Sequence, residues 1–397
     1  MAIHQYNFPT KVHFGPGAIG LLPSALKEAG CKRPLIVTDR GVGGLPWLAA
    51  LAARLNAEGL DTTVFSGVQG NPVKSQVVSG VEAYRSHRAD SIVGLGGGAA
   101  IDVAKAILLM VHHPGDLFDY EDEKPGARAI DREIPYWVSI PTTAGTGSEV
   151  GRSTVVSDDT THVKKIIFSP RLLAQRVLVD PELTLELPAS VTAATGMDAL
   201  THLVESYLAR GVQPLCDGIA LEGVKLVARS LAPAVAFARR IEAGERELRD
   251  DPAHLAARGD MLNAALMGGV AFQKGLGVTH SLAHALSTVC DLHHGLANGV
   301  AIPFAMRFNR EASASRLADL AQAASAEGRD ADGFIDWLEQ LRKTIGIPDT
   351  LAGVGVKREH LSRLVDVATG DACHPSNPRP VARADFAELF ASALGGA

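Results

Sequence analysis

The first half of the chain alternates short apolar runs with stretches of helical pattern. Apolar runs of this length, bounded by turn residues, are typical of buried parallel strands. The predicted strands span residues 34–38, 62–65, 91–95 and 137–140, and the helices between them include 47–58 and 76–87. Because strands and helices alternate along the chain, this half is predicted to form a doubly wound α/β domain.

The second half contains only helical patterns. From about residue 190 the Ala- and Leu-rich segments have helical spacing, and they cover 191–210, 217–238, 254–273, 315–324 and 332–345. A proline-bounded connection, 181–188, precedes them. A chain of 397 residues is long enough for two domains. We therefore predict an α/β domain over residues 1–188 and an all-helical domain over residues 189–397.

Composition excludes several classes of protein. The net charge of −6 leaves no basic surface for nucleic acid, and no apolar stretch approaches the roughly 20 residues of a membrane span. The amino terminus shows no signal-peptide pattern. The four cysteines are scattered and form no CxxC pair, which indicates reduced thiols. We expect a cytoplasmic enzyme with a small-molecule substrate and neither a nucleic-acid nor a membrane partner.

A glycine-rich turn, GLGGGAAIDVAK from Gly94 to Lys105, follows the strand SIVGL and opens a helix. Glycines let a phosphate approach the backbone, and the N–H groups and dipole at a helix start favour its negative charge. The spacing is not GxGxxG. The alternative is a tight strand-to-helix turn with no ligand.

A second small-residue loop, PTTAGTGSE from Pro141 to Glu149, follows the next strand. Two loops after neighbouring parallel strands lie on the same edge of the sheet, where α/β proteins bind ligands. Asp39 ends the first strong strand and could accept hydrogen bonds from a ribose, which would favour NAD over NADP. Its alternative role is to cap a turn.

The helical half carries an Asp/His pattern that suits a metal ion. It comprises Asp198 with His202, His280 with His284, and His293 with His294. Residues four apart share one helix face, and buried imidazoles need partners. Several imidazoles with one carboxylate suit Fe(II) or Zn(II) and not Mg or Ca. Spacing alone leaves the ligand of each cluster undecided. Three other histidines lie in polar stretches and are predicted at the surface: His112, His113 and His162.

Together these segments resemble the iron-containing alcohol dehydrogenase family. GGGAAIDVAK, PTTAGTGSE, GMDALTHLVESY and THSLAH with HHGLAN are similar to four of its motifs in the same order, and DACHPSNPRP resembles a segment of its tail. The resemblance covers nearly the whole chain. It implies an α/β N-terminal dinucleotide-binding domain plus an all-α C-terminal metal-binding domain, the dehydroquinate synthase-like fold, in a homodimer or larger homo-oligomer.

The resemblance also implies roles for individual residues. The metal ligands would be Asp198, His202, His280 and His294. His284 would be catalytic, beside the nicotinamide. The cofactor-binding residues would be Asp39, Asn71, Gly97, Gly98, Asp102, Thr142, Thr143 and Ser148.

Two positions depart from the family pattern. Ala99 replaces a serine of the phosphate loop, so we expect somewhat weaker cofactor binding. Lys274 stands just before GLG and resembles the 4-hydroxybutyrate dehydrogenase branch, so we treat it as a possible substrate anchor. The alternative is a solvated lysine at a helix end.

The predicted activity is that of a metal-dependent, NAD-linked alcohol dehydrogenase or aldehyde reductase. The substrate would be a short primary alcohol or an ω-hydroxy acid, for example 4-hydroxybutyrate giving succinate semialdehyde. The expected cofactors are NAD and Fe(II), with Zn(II) as the alternative metal. The alternatives are a lyase that uses NAD and a metal, a glycerol-type dehydrogenase on the same fold, and a non-catalytic metal-binding protein.

Overall fold

The computed structural model describes residues 8, 10–122 and 124–395. Its contacts divide the chain into two compact units. The α/β unit runs up to Thr143 and continues over Ser148–Leu183, and the helical unit holds Ala144–Gly147 and the chain from Thr184 onward. The predicted domain boundary at residue 188 stays a prediction, and this division falls a few residues before it.

The α/β unit is built on a sheet of six parallel strands in the order β1-β8-β5-β4-β2-β3. A separate antiparallel pair, β6 with β7, completes its strands. The strands are β1 (Lys11–Phe14), β2 (Pro34–Asp39), β3 (Thr63–Val68), β4 (Ser91–Gly96), β5 (Tyr136–Pro141), β6 (Ser153–Ser157), β7 (Lys164–Phe168) and β8 (Arg176–Val179). All four predicted strands are present.

Helices cover this sheet. They are α1 (Leu22–Glu28), α2 (Arg40–Gly43), α3 (Pro46–Ala57), α4 (Lys74–His87) and α5 (Gly98–Met110). Every residue of β4 is buried, and so are nine of the 13 residues of α5. Continuous apolar sequence is what a central strand and the helix packed on it require, because neither has a face toward water.

The helical unit contains no strand among the residues described. Its helices are α6 (Ala189–Leu208), α7 (Pro214–Glu242), α8 (Pro252–Ala271), α9 (Val278–Cys290), α10 (His294–Asn309), α11 (Ala314–Ala323), α12 (Ala331–Ile345), α13 (Leu361–Thr369) and α14 (Arg383–Leu394). Helix α6 is buried on nearly all sides, which makes it the central helix of this unit. The predicted fold class, α/β followed by all-α, is confirmed.

One predicted surface residue, His113, is buried. Its Nδ1 lies 2.9 Å from the Leu109 carbonyl oxygen, and its Nε2 accepts a hydrogen bond from the Arg132 N–H at 3.1 Å. Burial lowers the pKa of this imidazole. The prediction was wrong because the ring packs against Tyr120, with ring centroids 5.6 Å apart, and the segment at Arg132 bonds to it, whereas His112 and His162 are exposed as expected.

Among the residues that the structure describes, no helix is both long enough and apolar enough to cross a membrane.

Candidate functional site

The glycine-rich turn joins β4 to α5. Gly97 is the N-cap of α5, so no side chain caps the first turn of that helix. Gly96 has a φ of +149°, and a Cβ there would lie 2.7 Å from the Ala100 Cβ and 3.0 Å from Asp39 Oδ2. Only glycine fits this position. A close backbone and exposed N–H groups at a helix start suit a phosphate.

The second loop lies beside the first, as predicted. Strand β5 pairs with β4 in parallel, with Pro141 opposite Gly96. The Thr142 N–H donates to the Gly96 carbonyl oxygen at 3.0 Å. The Thr143 hydroxyl oxygen lies 3.4 Å from where a Cβ on Gly97 would stand. The two loops therefore form one surface at the carboxyl edge of the sheet.

The side chains of Asp102 and Ser148 are hydrogen-bonded to each other. The Ser148 hydroxyl donates to Asp102 Oδ1 at 2.5 Å, and the Val155 N–H donates to Oδ2 at 3.1 Å. The buried Lys105 ammonium donates to the Ser148 carbonyl oxygen at 2.7 Å and to the Ser153 carbonyl oxygen at 2.8 Å. These bonds hold the second loop against α5. Direct cofactor contact by Asp102 and Ser148 stays a prediction. Their hydrogen bonds indicate that they anchor the second loop to α5.

Asp39 performs the capping role considered as its alternative. Its Oδ1 accepts a hydrogen bond from the Val42 N–H at 2.9 Å and caps α2. Its other oxygen faces the glycine turn at Gly96. Capping and ribose binding use different oxygens, so the predicted ribose contact remains compatible with this geometry. Asn71 lies in the bend after β3.

In the helical unit, three helices bring the four predicted metal ligands together. Asp198 and His202 lie on α6, His280 lies on α9, and His294 begins α10. Asp198 Oδ1 is 3.4 Å from His294 Nε2, 4.0 Å from His280 Nε2 and 4.0 Å from His202 Nδ1. Asp198, His280 and His294 each offer a ligand atom within 4.8 Å of the other two. The His202 ring stacks on the His280 ring, with ring centroids 4.6 Å apart.

Two buried nitrogens of this cluster have no partner. Among the described residues, neither His280 Nε2 nor His202 Nδ1 has a hydrogen-bond partner. An unsatisfied buried nitrogen is costly, and a metal ion would satisfy both. Burial lowers the pKa of His202 to about 4, so this imidazole is neutral and able to act as a ligand near pH 7. The donor set fits Fe(II) or Zn(II).

Glu205 contacts the ring nitrogen of His280 that points away from the cluster. The sequence analysis did not identify this residue. Its Oε2 lies 2.7 Å from His280 Nδ1, and its carboxylate accepts the N–H groups of Gly277 at 2.9 Å and Thr279 at 2.6 Å. Burial alone would raise the pKa of Glu205, but the hydrogen bonds to His280 and Thr279 lower it. A carboxylate behind a ligand histidine fixes the ring and its tautomer. Positions 198, 202 and 205 share one helix face, and that spacing could have revealed it.

Asn298 is a second supporting residue that sequence reasoning missed. Its Nδ2 donates to Asp198 Oδ1 at 2.8 Å and lies 3.2 Å from His294 Nε2. The side chain is fully buried. It stands one turn after His294 on α10, so the HHGLANG segment contributes both a predicted ligand and an amide that orients Asp198.

His284 is paired with Asp371, which lies after α13. The two are joined by a 2.7 Å contact between His284 Nδ1 and Asp371 Oδ2. The Ser281 hydroxyl donates to Asp371 Oδ1 at 2.7 Å. Burial would raise the pKa of Asp371, but His284 and the hydrogen bonds hold it well below its usual range. An ionised carboxylate only accepts, so Nδ1 of His284 donates to Asp371, and in the neutral imidazole Nε2 is then the acceptor.

Lys274 is neither solvated nor at the metal cluster. Its ammonium donates to the Tyr207 carbonyl oxygen at 3.0 Å and to Asp217 Oδ1 at 2.5 Å, and its side chain is only 1% exposed. The interpretation as a solvated lysine was wrong, because the side chain is drawn into an internal ion pair with Asp217. Its role as a substrate anchor stays a prediction, and this ion pair argues against it.

The middle of the second loop packs within the helical unit. Gly147 has a φ of +62°, and a Cβ there would lie 2.6 Å from the Ala265 carbonyl oxygen of α8. The backbone of Gly145 forms a hydrogen bond with His202. Residues 144–147 of the second loop thus belong to the helical unit and pack on α6 and α8.

Comparison with known proteins agrees with this architecture. Residues 9–181 match the model of the iron-containing alcohol dehydrogenase family, and residues 192–394 match the model of its C-terminal domain. The chain thus consists of the α/β dinucleotide-binding domain of this family followed by its helical domain. It belongs to the iron-containing alcohol dehydrogenases, and it is an enzyme of that class.

Three relatives show the breadth of the family. An NAD-dependent methanol dehydrogenase of Bacillus methanolicus is 35% identical, with 98% of this chain and 100% of the relative covered. A 4-hydroxybutyrate dehydrogenase of Cupriavidus necator is 36% identical, with 97% and 98% covered. The crystal structure of a 1,3-propanediol oxidoreductase matches with a TM-score of 0.90 at 34% identity, with 99% of this chain and 100% of that chain covered.

Proposed function

We propose that the protein is a metal-dependent, NAD-linked alcohol dehydrogenase that interconverts short primary alcohols and their aldehydes. The observation that carries the proposal is the cluster of Asp198, His280 and His294, in which the buried His280 Nε2 has no hydrogen-bond partner among the described residues. Such a cluster in a chain of this family indicates a metal centre and not a structural core.

Asp198, His202, His280 and His294 would hold the metal, with Glu205 and Asn298 orienting two of them. When bound, the metal would act as a Lewis acid toward the alcohol oxygen. Three imidazoles and a carboxylate accept Fe(II) and Zn(II) alike. We propose Fe(II) because of the family, with Zn(II) as the alternative.

NAD would bind to the α/β unit. The N–H groups that open α5 at Gly97 and Gly98 would hold the phosphates, and Thr142 and Thr143 would line the same surface. Asp39 would accept a ribose hydroxyl and disfavour a 2′-phosphate. When bound, NAD accepts the hydride. A relative named as NAD-dependent supports this choice.

His284 would take up the alcohol proton. The bond to Asp371 leaves Nε2 as the acceptor, and the side chain is 18% exposed, so it can pass the proton on to water. In aldehyde reduction the same nitrogen would return the proton.

Two classes of primary alcohol are candidates for the substrate. The methanol dehydrogenase and the 1,3-propanediol oxidoreductase favour a neutral short alcohol or diol, and the 4-hydroxybutyrate dehydrogenase favours an ω-hydroxy acid. Because the Lys274 ammonium is paired with Asp217, we propose neutral alcohols as the first candidate substrates and ω-hydroxy acids as the second.

The test is an anaerobic assay of iron-reconstituted protein, following NADH with ethanol, butanol, 1,3-propanediol, 4-hydroxybutyrate and 5-hydroxyvalerate at one pH. Turnover of the neutral alcohols supports the proposal, and a large preference for the acids would move the substrate to ω-hydroxy acids. No NADH with any alcohol, by a protein that binds both metal and NAD, would favour the lyase alternative. A cytoplasmic location and a homo-oligomeric state remain proposals, supported by the thiol content and the family.

A further inference from the structure

A second set of potential metal ligands lies next to the predicted metal centre. His284, Asp371 and Cys373 each offer a ligand atom, and these atoms all lie within 4.8 Å of one another. His284 Nδ1 is 2.7 Å from Asp371 Oδ2 and 4.0 Å from Cys373 Sγ. This set shares no residue with Asp198, His280 and His294.

The donor chemistry suits a borderline-soft ion. A thiolate, an imidazole and a carboxylate are the three ligand types that zinc accepts, and a thiolate favours zinc over Mg²⁺ or Ca²⁺. With bond lengths of about 2.0–2.3 Å, neighbouring ligand atoms of a tetrahedral zinc site stand roughly 3.4–3.6 Å apart. The distances of 2.7 and 4.0 Å lie on either side of that value, and the third separation is within 4.8 Å, so modest side-chain shifts would complete the site.

The surrounding hydrogen bonds leave one carboxylate oxygen for an ion. The Ser281 hydroxyl and the Cys373 N–H both donate to Asp371 Oδ1, at 2.7 and 2.9 Å, and Oδ2 lies 2.7 Å from His284 Nδ1. The His374 N–H in turn donates to the Ser281 hydroxyl oxygen at 3.0 Å. The segment that carries Asp371 and Cys373 is thereby fixed to α9. Bonds of this kind orient ligands in established metal sites.

We infer that His284, Asp371 and Cys373 form a second, inhibitory zinc site. Zinc would bind His284 Nδ1, Asp371 Oδ2 and the Cys373 sulfur, and water would take the fourth position because all three side chains are partly exposed. The thiol loses one proton to solvent. The imidazole keeps its single proton, which moves from Nδ1 to Nε2.

The shift of that proton is the source of inhibition. Under the proposed function, on which this inference rests, His284 accepts the alcohol proton at Nε2. A protonated Nε2 cannot accept another, so zinc at this site stops proton removal without displacing the metal held by Asp198. Excess zinc would therefore act as a reversible inhibitor, relieved by a chelator.

Cobalt titration of the iron-loaded protein under anaerobic conditions tests the site without relying on activity. We expect Co(II) to produce a sulfur-to-cobalt charge-transfer band in the near ultraviolet, because the site contains a thiolate and the predicted metal centre does not. The band should disappear in Cys373→Ser. It should persist in Cys290→Ser, the matched control, whose half-buried sulfur also lies beside a histidine, 3.4 Å from His360 Nδ1.

The band should also persist in Asp198→Ala, which removes the proposed metal centre and its turnover. The zinc concentration for half inhibition, measured against each variant's own uninhibited rate, should rise about tenfold or more in Cys373→Ser and stay unchanged in Cys290→Ser. No band in the wild-type protein, or a band and zinc inhibition unaltered in Cys373→Ser, would overturn the inference. If the protein showed no dehydrogenase activity yet gave the band, the proposed function would fail and the zinc site would stand.

A second measurement covers the case in which Cys373→Ser does not fold. Saturating zinc should slow alkylation of Cys373 in the wild-type protein and leave alkylation of Cys290 unchanged. Equal protection of both thiols, or of neither, would contradict the site.

Discussion

The Oε2 atom of Glu205 lies 2.7 Å from the Nδ1 atom of His280, and both side chains are 1% exposed. The same carboxylate accepts backbone N–H groups at the start of α9, so one acid both caps that helix and fixes the ring that it carries. The unpartnered Nε2 of His280 is thus directed toward Asp198 before any ion binds. This arrangement makes the proposed metal centre preorganised.

Glu205→Gln is predicted to lower iron affinity by about 10- to 100-fold. The amide keeps one acceptor oxygen but turns an NH₂ group toward donors, so the orientation of His280 is lost. Metal content after dialysis against a weak chelator measures the effect. Glu242→Gln is the matched control, because Glu242 also caps a helix in this unit, accepting the Ala189 N–H at 2.9 Å. Equal iron loss in both variants would show that the effect is general destabilisation.

Lys274→Met is predicted to lower the free energy of unfolding by about 1–3 kcal/mol and to leave substrate preference unchanged. The loss stays moderate because Arg316 also pairs with Asp217, at 2.8 Å. Urea unfolding and the ratio of kcat/KM for 4-hydroxybutyrate and butanol are the two measurements. A selective fall in kcat/KM for 4-hydroxybutyrate would support Lys274 as a substrate anchor. Lys225→Met, which removes an exposed lysine paired with Glu222, should change neither quantity.

The sequence predicts the fold better than it predicts the surroundings of the site. Periodicity located four of the six strands of the sheet, β2 to β5, and the long helices, because burial imposes a pattern on each of them. Strands β1 and β8 were missed because four residues carry too little periodicity. The pairing of Asp371 with His284 and that of Lys274 with Asp217 join residues 87 and 57 positions apart. No local sequence pattern predicts contacts over such distances.

Asp39→Asn is predicted to raise kcat/KM with NADP relative to NAD by on the order of tenfold. The amide keeps an oxygen to cap α2 but removes the charge that would repel a 2′-phosphate. Asp39→Gly should shift the ratio in the same direction, with an added loss of stability from the missing cap. An unaltered NAD/NADP ratio in both variants would remove Asp39 from the cofactor site.

Acidification is predicted to destabilise the protein in part through His254. This imidazole is fully buried, and burial together with the neighbouring Arg258 charge lowers its pKa below the usual histidine value of about 6.5. Below pH 6.5 the unfolded chain therefore binds a proton at His254 more readily than the folded chain does. The stability that depends on a neutral His254 is present above pH 6.5 and is lost as the pH falls below it. His254→Gln keeps an acceptor for the Arg258 Nε–H and should show a smaller loss of urea midpoint between pH 8 and pH 5.5. An identical loss in both proteins would refute this assignment.

The most direct test of the proposed metal centre compares wild-type protein with His280→Ala in iron content, NAD binding and NADH formation from butanol. We predict that the variant loses bound iron and turnover while its NAD affinity stays within about twofold, because His280 lies in the helical unit and the predicted phosphate loop lies in the α/β unit. Full turnover by the iron-free variant would contradict the central claim that Asp198, His202, His280 and His294 hold a metal required for alcohol oxidation.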